Sequence, residues 1–305
     1  MGEHQECDGG CVKFIFWAAE KDRAYGLAEA MQNGAKICGD DILIIPQRQF
    51  KGIPTDFDGG ICLGVKRAGK RLLEQHIAGG KHFLFLDKSY MGRSQYVRIS
   101  IDSWQPLAYF RRIRPDDRFS RLRVKLHPRR KSEPSDMILF AGSSQKYCNF
   151  HDLGDATDYA ESIIAKIRQH TKREIIYRPK PSWAANHPEE CQPIRGTHFS
   201  HPHVEISKEI ARCHLVVTHG SNAAFDALAA GVPVMVLGDG ICKPMGIGSE
   251  FNLIDKPSFP SDNDRRQFFC DVAYCQWTNE ELANGLAWAD IKATIQSLPM
   301  REMVS

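Results

Sequence analysis

A short stretch of this sequence places polar residues between an apolar strand and an apolar helix. Residues 215–218 form the predicted strand, His219 and Gly220 follow it, and Ser221 and Asn222 open the predicted helix. Gly220 permits a sharp turn, and the N–H groups that open a helix can hold an anion beside the Ser221 hydroxyl. Ligands of open α/β sheets bind at the carboxyl ends of strands, so this segment predicts a phosphate-binding loop. In the alternative interpretation, Ser221 only caps the helix and Gly220 only turns the chain.

Two cations follow an earlier predicted strand, in the sequence Tyr177-Arg178-Pro179-Lys180-Pro181. Arg178 and Lys180 carry charges that can neutralise a diphosphate, including one that leaves during a reaction. By charge alone, the same residues are as consistent with a solvated loop. The sequence Gly238-Asp239-Gly240, after the last apolar strand, is a further candidate for a close approach to a ligand, or is simply a turn.

Carboxylates in the first half of the chain can supply acid–base or nucleophilic chemistry. Asp87 follows the predicted strand at residues 82–86, and Glu20 and Asp22 follow the first strand. A carboxylate in such a position can act as a nucleophile or as a general base. We predict Asp87 for that role, with Glu20 and Asp22 as rival bases. The alternative for Asp87 is an ordinary turn residue at a strand end.

The elements that must position these residues alternate between short apolar strands and helices. Strands are predicted at residues 12–17, 42–45, 61–65, 82–86, 137–141, 174–177, 215–218 and 232–237. Helices are predicted at residues 20–33, ending at Gly34, and at 66–78, 155–170, 221–230 and 279–295, the last with Thr278 and Glu281 as a capping box. This alternation predicts parallel sheets covered on both faces, and therefore an α/β protein of two Rossmann-like domains that face a cleft.

Between the two halves lies the most basic segment of the chain, residues 109–131. It contains two prolines and is followed by Ser132-Glu133-Pro134-Ser135, which indicates irregular backbone. We therefore place the domain boundary near residue 133, with domains at 1–133 and 134–305. The cations of the basic segment are Arg111, Arg112, Arg114, Arg118, Arg121, Arg123, Lys125, Arg129, Arg130 and Lys131.

The order of these motifs resembles that of GT-B glycosyltransferases, especially the group of capsular polysaccharide and Kdo transferases. In the first half, residues 63–67 and 85–93 resemble the Trp-Gly-x-Lys and Glu-Asp-Gly-Phe-x-Arg-Ser elements of that group, with Asp87 at the acidic position. Residues 177–181 resemble its Arg-Pro-His-Pro element, with Lys180 in place of the histidine. In the second half, the matching positions are Thr218, Ser221, Phe225, Asp226, Ala227, Leu228, Gly231, Pro233 and Val234.

This resemblance implies a GT-B fold with an acceptor-side N-terminal domain and a donor-binding C-terminal domain. It also implies metal-independent transfer from a UDP- or CMP-linked sugar, with no further cofactor. Lys88 departs from the pattern, because the group has glycine there. Lys180 can keep a contact to phosphate or carboxylate, but its replacement of the histidine argues against a proton-transfer role at that position. The implied donor-binding residues are Arg178, Lys180, Thr218, His219, Gly220, Ser221, Asn222 and Asp226.

Arginines clustered beside Tyr109 and Phe119 are typical of contacts to a nucleic-acid backbone and to unpaired bases. The resemblance here is to phage-type glycosyltransferases that modify hydroxymethylated pyrimidines, and it predicts a DNA acceptor. Alternatively, the segment is a charged linker, or it holds an anionic surface glycan as the acceptor or a membrane surface. The alternatives for the whole protein are a non-catalytic protein that binds nucleotides or nucleic acid and an epimerase of nucleotide sugars. The predicted acceptor-binding residues are Lys66, Arg67, Lys88, Arg93, Arg111, Arg112, Arg121, Arg123 and Arg130.

Composition restricts the class of protein further. The 305 residues are 42% hydrophobic and 25% charged with a net charge of +3, which is typical of a folded enzyme with two domains. The ten cysteines are dilute and are predicted to be reduced, and the pairs at 7 and 11 and at 270 and 275 lack the partners of a zinc site. His198, His201 and His203 are predicted to line the donor nucleotide and not to bind a metal. The polar N-terminus predicts neither a signal peptide nor a membrane span, and hence a protein of the cytoplasm, or of the host cytoplasm if a phage encodes it.

Overall fold

The computed structural model describes residues 11–64, 67–92, 95–111 and 113–298. The chain forms two compact units, Met1–Arg111 together with Cys275–Ser305, and Arg112–Tyr274. This division differs from the predicted boundary near residue 133 and from a C-terminal domain that runs to residue 305. The basic segment after Arg111 belongs to the second unit, and the C-terminal helices belong to the first.

Eleven strands and eleven α-helices make up the regular structure of the described residues. In that part of the chain, no helix is long and apolar enough to cross a membrane. The strands are β1 (Lys13–Ala18), β2 (Asp41–Pro46), β3 (Gly59–Leu63), β4 (His82–Lys88), β5 (Tyr96–Ile101), β6 (Met137–Ala141), β7 (Ile175–Arg178), β8 (His198–Phe199), β9 (Cys213–Thr218), β10 (Val234–Val236) and β11 (Gln276–Thr278). The helices are α1 (Asp22–Ile37), α2 (Arg67–Ala78), α3 (Asp117–Leu122), α4 (Gln145–Phe150), α5 (Ala156–Arg168), α6 (Pro181–Ala184), α7 (Ile206–Ile210), α8 (Ala223–Ala229), α9 (Asp262–Ala273), α10 (Asn279–Ala283) and α11 (Leu286–Gln296).

The first unit is built on a six-stranded sheet in the order β11-β5-β4-β3-β1-β2. Strands β2, β1, β3 and β4 are parallel, whereas β5 is antiparallel to β4 and β11 is antiparallel to β5. Apolar runs explain the central strands, since Phe14, Ile15 and Phe16 of β1 are fully buried. The parallel strands end at one edge, and that edge carries Asp87 near the end of β4 and residues 19–22 after β1.

Helix α1 does not end at Gly34, where the sequence predicts its last residue. Gly34 is buried inside the helix, and a Cβ atom at this position would collide with the backbone oxygen of Leu282 in α10. Glycine therefore serves here for the close packing of two helices and not for a helix end. The predicted terminal helix is also divided, because Gly285 has a φ of +86° and separates α10 from α11.

A buried polar contact explains why the C-terminal helices belong to the first unit. The indole nitrogen of Trp288 and Nζ of Lys292 donate to the Asp40 carboxylate at 2.8 and 2.9 Å. Asp40 is 4% exposed, so removing either partner would leave a poorly solvated charge. The contact spans about 250 positions of sequence. The capping box of Thr278 and Glu281, predicted from the sequence, is confirmed at the start of α10.

The second unit contains a five-stranded sheet in the order β10-β9-β6-β7-β8, and every pair in it is parallel. Its core includes the buried residues Ile138 and Phe140 of β6, Ile163 of α5 and Val217 of β9. Because all five strands point the same way, the segments that follow them meet at one edge of the sheet. Those segments are residues 142–144, 179–180, 200–201, 219–222 and 237–240.

The basic segment is part of the packed second unit. Arg114 and Arg118 are 6% and 7% exposed, and their guanidinium groups lie over the Tyr274 ring. The Arg114 N–H donates to the Asp271 carboxylate at 3.0 Å, and Arg118 Nε donates to the Ala273 carbonyl at 3.2 Å. Residues 117–122 of this segment form the short helix α3, which packs beside α9, whereas residues 123–136 have the irregular backbone that the sequence predicts.

Candidate functional site

Thr218, the last residue of β9, fixes the loop that the sequence predicts to bind phosphate. Its hydroxyl donates to the Ala141 carbonyl of β6 at 3.0 Å and accepts the Ser221 N–H at 3.0 Å. Thr218 is fully buried, whereas residues 219–222 are partly exposed. The predicted order of strand, loop and helix is therefore confirmed. Ser221 Oγ also accepts the Ala223 N–H at 3.3 Å, which is a local turn contact made one residue before the N-cap position of α8.

Three glycines let the loops after β9 and β10 approach each other closely. A Cβ atom on Gly240 would lie 3.0 Å from the Cα atom of Gly220, and one on Gly220 would collide with the Tyr147 hydroxyl. A Cβ atom on Gly238 would collide with the imidazole of His219. Only glycine allows these approaches without displacing a neighbour, so both loops depend on it at this edge.

His219 lies among aromatic side chains that the sequence analysis does not assign to the site. Its Nδ1 is 2.6 Å from the Tyr159 hydroxyl, and its ring contacts those of Tyr147 and His151. Burial lowers the pKa of His219, and burial raises the pKa of Tyr159 to about 12. The phenol therefore keeps its proton and can donate to Nδ1, which leaves the proton of the neutral imidazole on Nε2. His219 thus offers an uncharged N–H donor at the carboxyl edge of the sheet.

Arg178, predicted to contact phosphate, is bonded to a loop of its own unit. Its Nη1 donates to Ser200 Oγ at 2.7 Å and to the His201 carbonyl at 3.2 Å, and its Nη2 donates to the Val204 carbonyl at 2.6 Å. The residue is 6% exposed, and burial lowers its pKa. These contacts give Arg178 the role of a positioning residue for segment 200–204.

The other predicted donor-binding residues of the second unit lie at different depths. Lys180 is exposed and precedes α6, at the same edge as the loop after β9. Asn222 is the residue before α8 and makes no capping hydrogen bond with its side chain. Asp226 lies within α8 and is partly buried. Burial raises the pKa of the Cys242 thiol, and the negative charge of Asp226 raises it further. Of these three, Lys180 is the residue that can offer a cation to a ligand.

The three predicted histidines after β7 do not form one group. His201 and His203 are exposed, and their rings stack with centroids 5.5 Å apart. His198 lies in β8 and pairs with Glu174 at 3.0 Å. Across the described ranges, no three side chains of His, Cys, Asp or Glu form a group that could hold a metal ion.

Asp87, near the end of β4, is held by a buried arginine on the neighbouring strand. Arg98 of β5 is its register partner, and Arg98 Nη2 lies 3.2 Å from Asp87 Oδ2. The other carboxylate oxygen accepts the Lys88 N–H at 2.8 Å. The Asp87 side chain is 29% exposed, whereas that of Arg98 is 5% exposed. The carboxylate is therefore fixed at both oxygens and still accessible, as a nucleophile or a general base must be.

Arg98 is itself fixed by polar and aromatic neighbours. Its Nη1 donates to Gln105 Oε1 at 2.9 Å and to the Tyr90 hydroxyl. Its guanidinium lies 5.1 Å from the ring centroid of Tyr90 and 5.3 Å from that of Trp104. Because a guanidinium stays protonated, Arg98 presents a permanent positive charge to Asp87. The sequence analysis does not identify Arg98, since β5 carries no recognisable motif.

Glu20 and Asp22 lie at the same edge of the first sheet, but at the surface. Glu20 pairs with Arg48 at 2.5 Å, with both side chains more than half exposed, and Asp22 is exposed in the first turn of α1. Because β3 lies between β1 and β4, these strands are two spacings apart, about 10 Å. Of the three candidate carboxylates, Asp87 is therefore the one that a buried arginine, Arg98, holds in place. Glu20 and Asp22 do not lie beside Asp87.

Part of the predicted acceptor-binding set lies outside the described residues. This applies to Lys66, Arg93 and Arg112, and to the side chains of Arg67 and Arg111. Lys88 is described and exposed beside Asp87.

The remaining cations of that set differ in their contacts. Arg121 and Arg123 are exposed at the end of α3, and Arg121 pairs with Asp117 one turn earlier at 3.4 Å. Arg130 is partly buried, and its Nη2 lies 2.6 Å from the Asp136 carboxylate and donates to the Cys213 carbonyl at 2.7 Å. Asp136 thus neutralises the charge of Arg130 within the unit. A nucleic-acid phosphate would have to compete with this carboxylate for Arg130.

Solved structures with a similar architecture include enzymes that act on sugars. The chain is similar to the KpsC beta Kdo 2,4 transferase of Thermosulfurimonas dismutans, with a TM-score of 0.51 at 12% identity over 85% of this chain and 89% of that one. The chain has a GT-B-type α/β fold. This confirms the two Rossmann-like units predicted from the sequence.

Two other structures resemble the chain more weakly. One is the KpsC beta Kdo 2,7 transferase of the same organism, with a TM-score of 0.48 at 12% identity over 92% of this chain and 99% of that one. The other is the UDP-GlcNAc 2-epimerase of Methanocaldococcus jannaschii in complex with UDP-GlcNAc and UDP. Its TM-score is 0.33 at 9% identity, over 93% of this chain and 100% of that one. No protein-family model and no curated protein sequence matches the chain.

Proposed function

We propose that this protein is a glycosyltransferase that moves a sugar from a nucleotide sugar to an acceptor. The observation that carries the proposal is the carboxyl edge of the second sheet, where Thr218 fixes one loop and three glycines bring a second loop against it. Ligands of parallel sheets bind at such an edge. The fold shared with a Kdo transferase supports the same class of reaction.

The second unit is proposed to bind the donor. Loop residues 219–222 face the nucleotide phosphate, and the exposed ammonium of Lys180 offsets the charge that develops on the leaving nucleotide. The Nε2–H of His219 adds an uncharged donor beside them. The co-substrate is a UDP- or CMP-linked sugar, and we propose no further cofactor.

Asp87 is proposed as the reacting carboxylate in the first unit, in one of two roles. As a nucleophile, one of its oxygens bonds to the anomeric carbon while the nucleotide leaves, and the acceptor hydroxyl then displaces it and loses its proton to water. As a general base, it takes the proton of the acceptor hydroxyl while that oxygen attacks the anomeric carbon and the nucleotide leaves. Two displacements retain the anomeric configuration and one inverts it, so the NMR coupling constants of the product distinguish the two roles.

For the acceptor we propose DNA that contains hydroxymethylated pyrimidines. The second unit keeps exposed cations at Arg121, Arg123, Lys125 and Lys131, although Arg114, Arg118 and Arg130 are used internally. Exposed cations release counterions when they neutralise backbone phosphates, and the target base would have to leave the stacked duplex to react. An anionic surface glycan would be held by the same exposed cations and is the second candidate acceptor.

The acceptor is identified by mass spectrometry. Nucleosides are prepared from hydroxymethylpyrimidine DNA after incubation with the protein and a panel of UDP-, CMP- and GDP-linked sugars. A mass gain of one sugar on the modified nucleoside identifies DNA as the acceptor. Unchanged nucleosides, together with donor consumption when lipopolysaccharide fragments are added, contradict the DNA acceptor and identify the glycan.

The enzyme class is tested separately by following the donor in the absence and presence of acceptor. A glycosyltransferase releases the free nucleotide and does so faster with acceptor. Conversion of the donor to its epimer without any acceptor identifies an epimerase. Donor that stays intact throughout the panel, while the protein still retards DNA, identifies a non-catalytic binding protein.

A further inference from the structure

The second unit has a cavity of about 460 Å³ at the edge of its sheet opposite to the proposed donor site. The cavity lies against the start of β9 and the residue before β10, and its lining includes Arg129, Arg130, Lys131, His214, Pro233 and Pro257. The six residues of β9 separate the two edges by about 17 Å. The cavity is therefore distinct from the loop after β9.

The frame of this cavity is rigidly connected to the sheet. The backbone N–H groups of His127 and Arg130 donate to the carbonyls of Ala229 and Gly231, each at 2.8 Å. Gly231 has a φ of +80°, and a Cβ atom there would collide with the Pro128 carbonyl, so the segment passes directly against the turn before β10. Residues 127–131, which we call the basic strap, are thus held in place by the fold.

A histidine and a serine complete the wall in a defined protonation state. Nε2 of His214 lies 2.9 Å from the Ile254 carbonyl, and Nδ1 lies 2.5 Å from the Ser132 hydroxyl. Burial lowers the pKa of His214, so the ring is neutral near pH 7. The neutral ring donates from Nε2 and accepts the Ser132 hydroxyl proton at Nδ1, so His214 adds no charge to the wall beside the basic strap.

The cations of the basic strap are not all neutralised. Arg130 pairs with Asp136 at 2.6 Å, whereas Arg129 donates from one nitrogen to the neutral Pro257 carbonyl at 2.9 Å. Lys131 is exposed, and no hydrogen bond or ion pair joins its ammonium to another described residue. Against these two charges the lining contains one carboxylate, that of Glu133. The cavity lining thus has an excess of one positive charge, carried by a guanidinium and an ammonium against a single carboxylate.

We propose that this cavity binds a small ligand that carries a phosphate group, at a site separate from that of the nucleotide sugar. A guanidinium with free N–H groups and an adjacent ammonium form the donor set that phosphate oxygens prefer. The volume is in the range of small-molecule sites, and Pro233 and Pro257 supply apolar wall for the rest of an organic phosphate. A ligand there would join the basic strap to the start of β9.

Calorimetric titration of the full chain with two probes, inorganic pyrophosphate and phenyl phosphate, tests the proposal. We expect saturable binding, and tighter binding of phenyl phosphate would show that the apolar wall contributes. Arg129→Gln and Lys131→Gln should each weaken binding by about tenfold, since each removes a charge-assisted contact. Lys166→Gln, which removes an exposed charge from α5 of the same unit, is the matched control and should bind as the wild type does.

Lys180→Gln separates this proposal from that of the donor site. If it abolishes probe binding while Lys131→Gln has no effect, both probes occupy the donor edge and the proposal is wrong. Absence of saturable binding by the wild type, or an equal loss in Lys166→Gln, also overturns it. Binding of a DNA oligonucleotide that depends on Arg129 and Lys131, with no binding of either small probe, would identify the strap as a polyanion contact and contradict a small-ligand site.

Because Lys131 is exposed, Lys131→Gln should keep the wild-type melting temperature, so a loss of probe affinity in this variant reports on binding and not on folding.

Discussion

The two sheet edges that carry the candidate residues differ in charge. In the first unit, the buried Arg98 fixes the partly exposed carboxylate of Asp87. In the second unit, the central side chain is the neutral His219, which is hydrogen bonded to Tyr159 and lies against Gly238. A fixed charge suits the making and breaking of bonds, whereas uncharged donors beside closely packed backbone suit the binding of a nucleotide. This difference supports the proposed division, with catalysis at the first edge and donor binding at the second.

Strand direction explains how the two edges come to differ. In the second unit all strands are parallel, so only the loops after the strands reach the edge. In the first unit β5 runs antiparallel to β4, so its residue Arg98 lies directly across from Asp87 at the strand end. The antiparallel strand β5 thus supplies the charge partner of Asp87.

The largest effect that this comparison predicts is on Asp87→Asn. The amide keeps the shape of the side chain but removes the negative charge, so transfer should fall by about 10²- to 10⁴-fold with little change in donor affinity. Steady-state turnover of the donor measures the loss, and Glu20→Gln is the matched control. Near wild-type turnover of Asp87→Asn, with a large loss in Glu20→Gln, would move the catalytic role to the other carboxylate.

The next largest effect should follow from Gly238→Ala. The new methyl group would collide with the imidazole of His219 and displace the loop after β9, so kcat/KM for the donor should fall by up to about 100-fold. Gly26→Ala is the control, since nothing lies within 4 Å of a Cβ atom there. If Gly238→Ala keeps a kcat/KM as high as that of Gly26→Ala, the glycine-lined loops do not take part in donor binding.

Arg98→Lys should have an intermediate effect. Lysine keeps the positive charge but cannot reach Asp87, Tyr90 and Gln105 together, so the carboxylate loses its fixed orientation. We expect kcat to fall by about tenfold, with KM for the donor nearly unchanged, because a single charge-assisted contact is lost. A change in KM alone would mean that Arg98 supports the fold and not the position of Asp87.

The smallest effect concerns stability in acid. Burial holds the pKa of His219 below its ordinary value of 6.5, so below that pH the unfolded chain binds a proton that the folded chain does not. Stability should therefore decrease as the pH falls below about 6.5 and should level off below the folded pKa. Urea unfolding at a series of pH values should show a shallower acid slope for His219→Asn than for the wild type. The control is His198→Asn, because His198 lies at the surface and pairs with Glu174. An equal change of the acid slope in both variants would contradict the burial of His219.

The sequence predicts the parallel strands that are short apolar runs between helices, such as β1, β6 and β9, but not the two-residue parallel strand β8. Our sequence analysis considers continuous apolar runs and overlooks the alternating pattern Tyr-Val-Arg-Ile-Ser-Ile of β5, and with it the partner of Asp87. Buried Arg98 donates from Nη1 to Gln105 and Tyr90 and from Nη2 to Asp87, and no local pattern reveals such a network.

Long-range packing limits the other sequence-based assignments. The burial of Arg114 depends on Asp271 and Tyr274, more than 150 positions away, so local charge alone indicates an exposed segment. The aromatic neighbours of His219 come from α4 and α5, and they give no motif in the sequence either. Charge density therefore predicts which segment is basic, but not which of its cations reach solvent.

The most direct test of the division between the two edges is calorimetric titration of nucleotide sugars into the wild type, Asp87→Asn and Gly238→Ala, prepared and measured side by side. Our assignment predicts that Asp87→Asn binds a UDP- or CMP-linked donor as tightly as the wild type while failing to turn it over, and that Gly238→Ala loses most of the binding. Equal donor affinity in Gly238→Ala and the wild type, with binding lost in Asp87→Asn, would contradict the assignment and place the donor at the first edge.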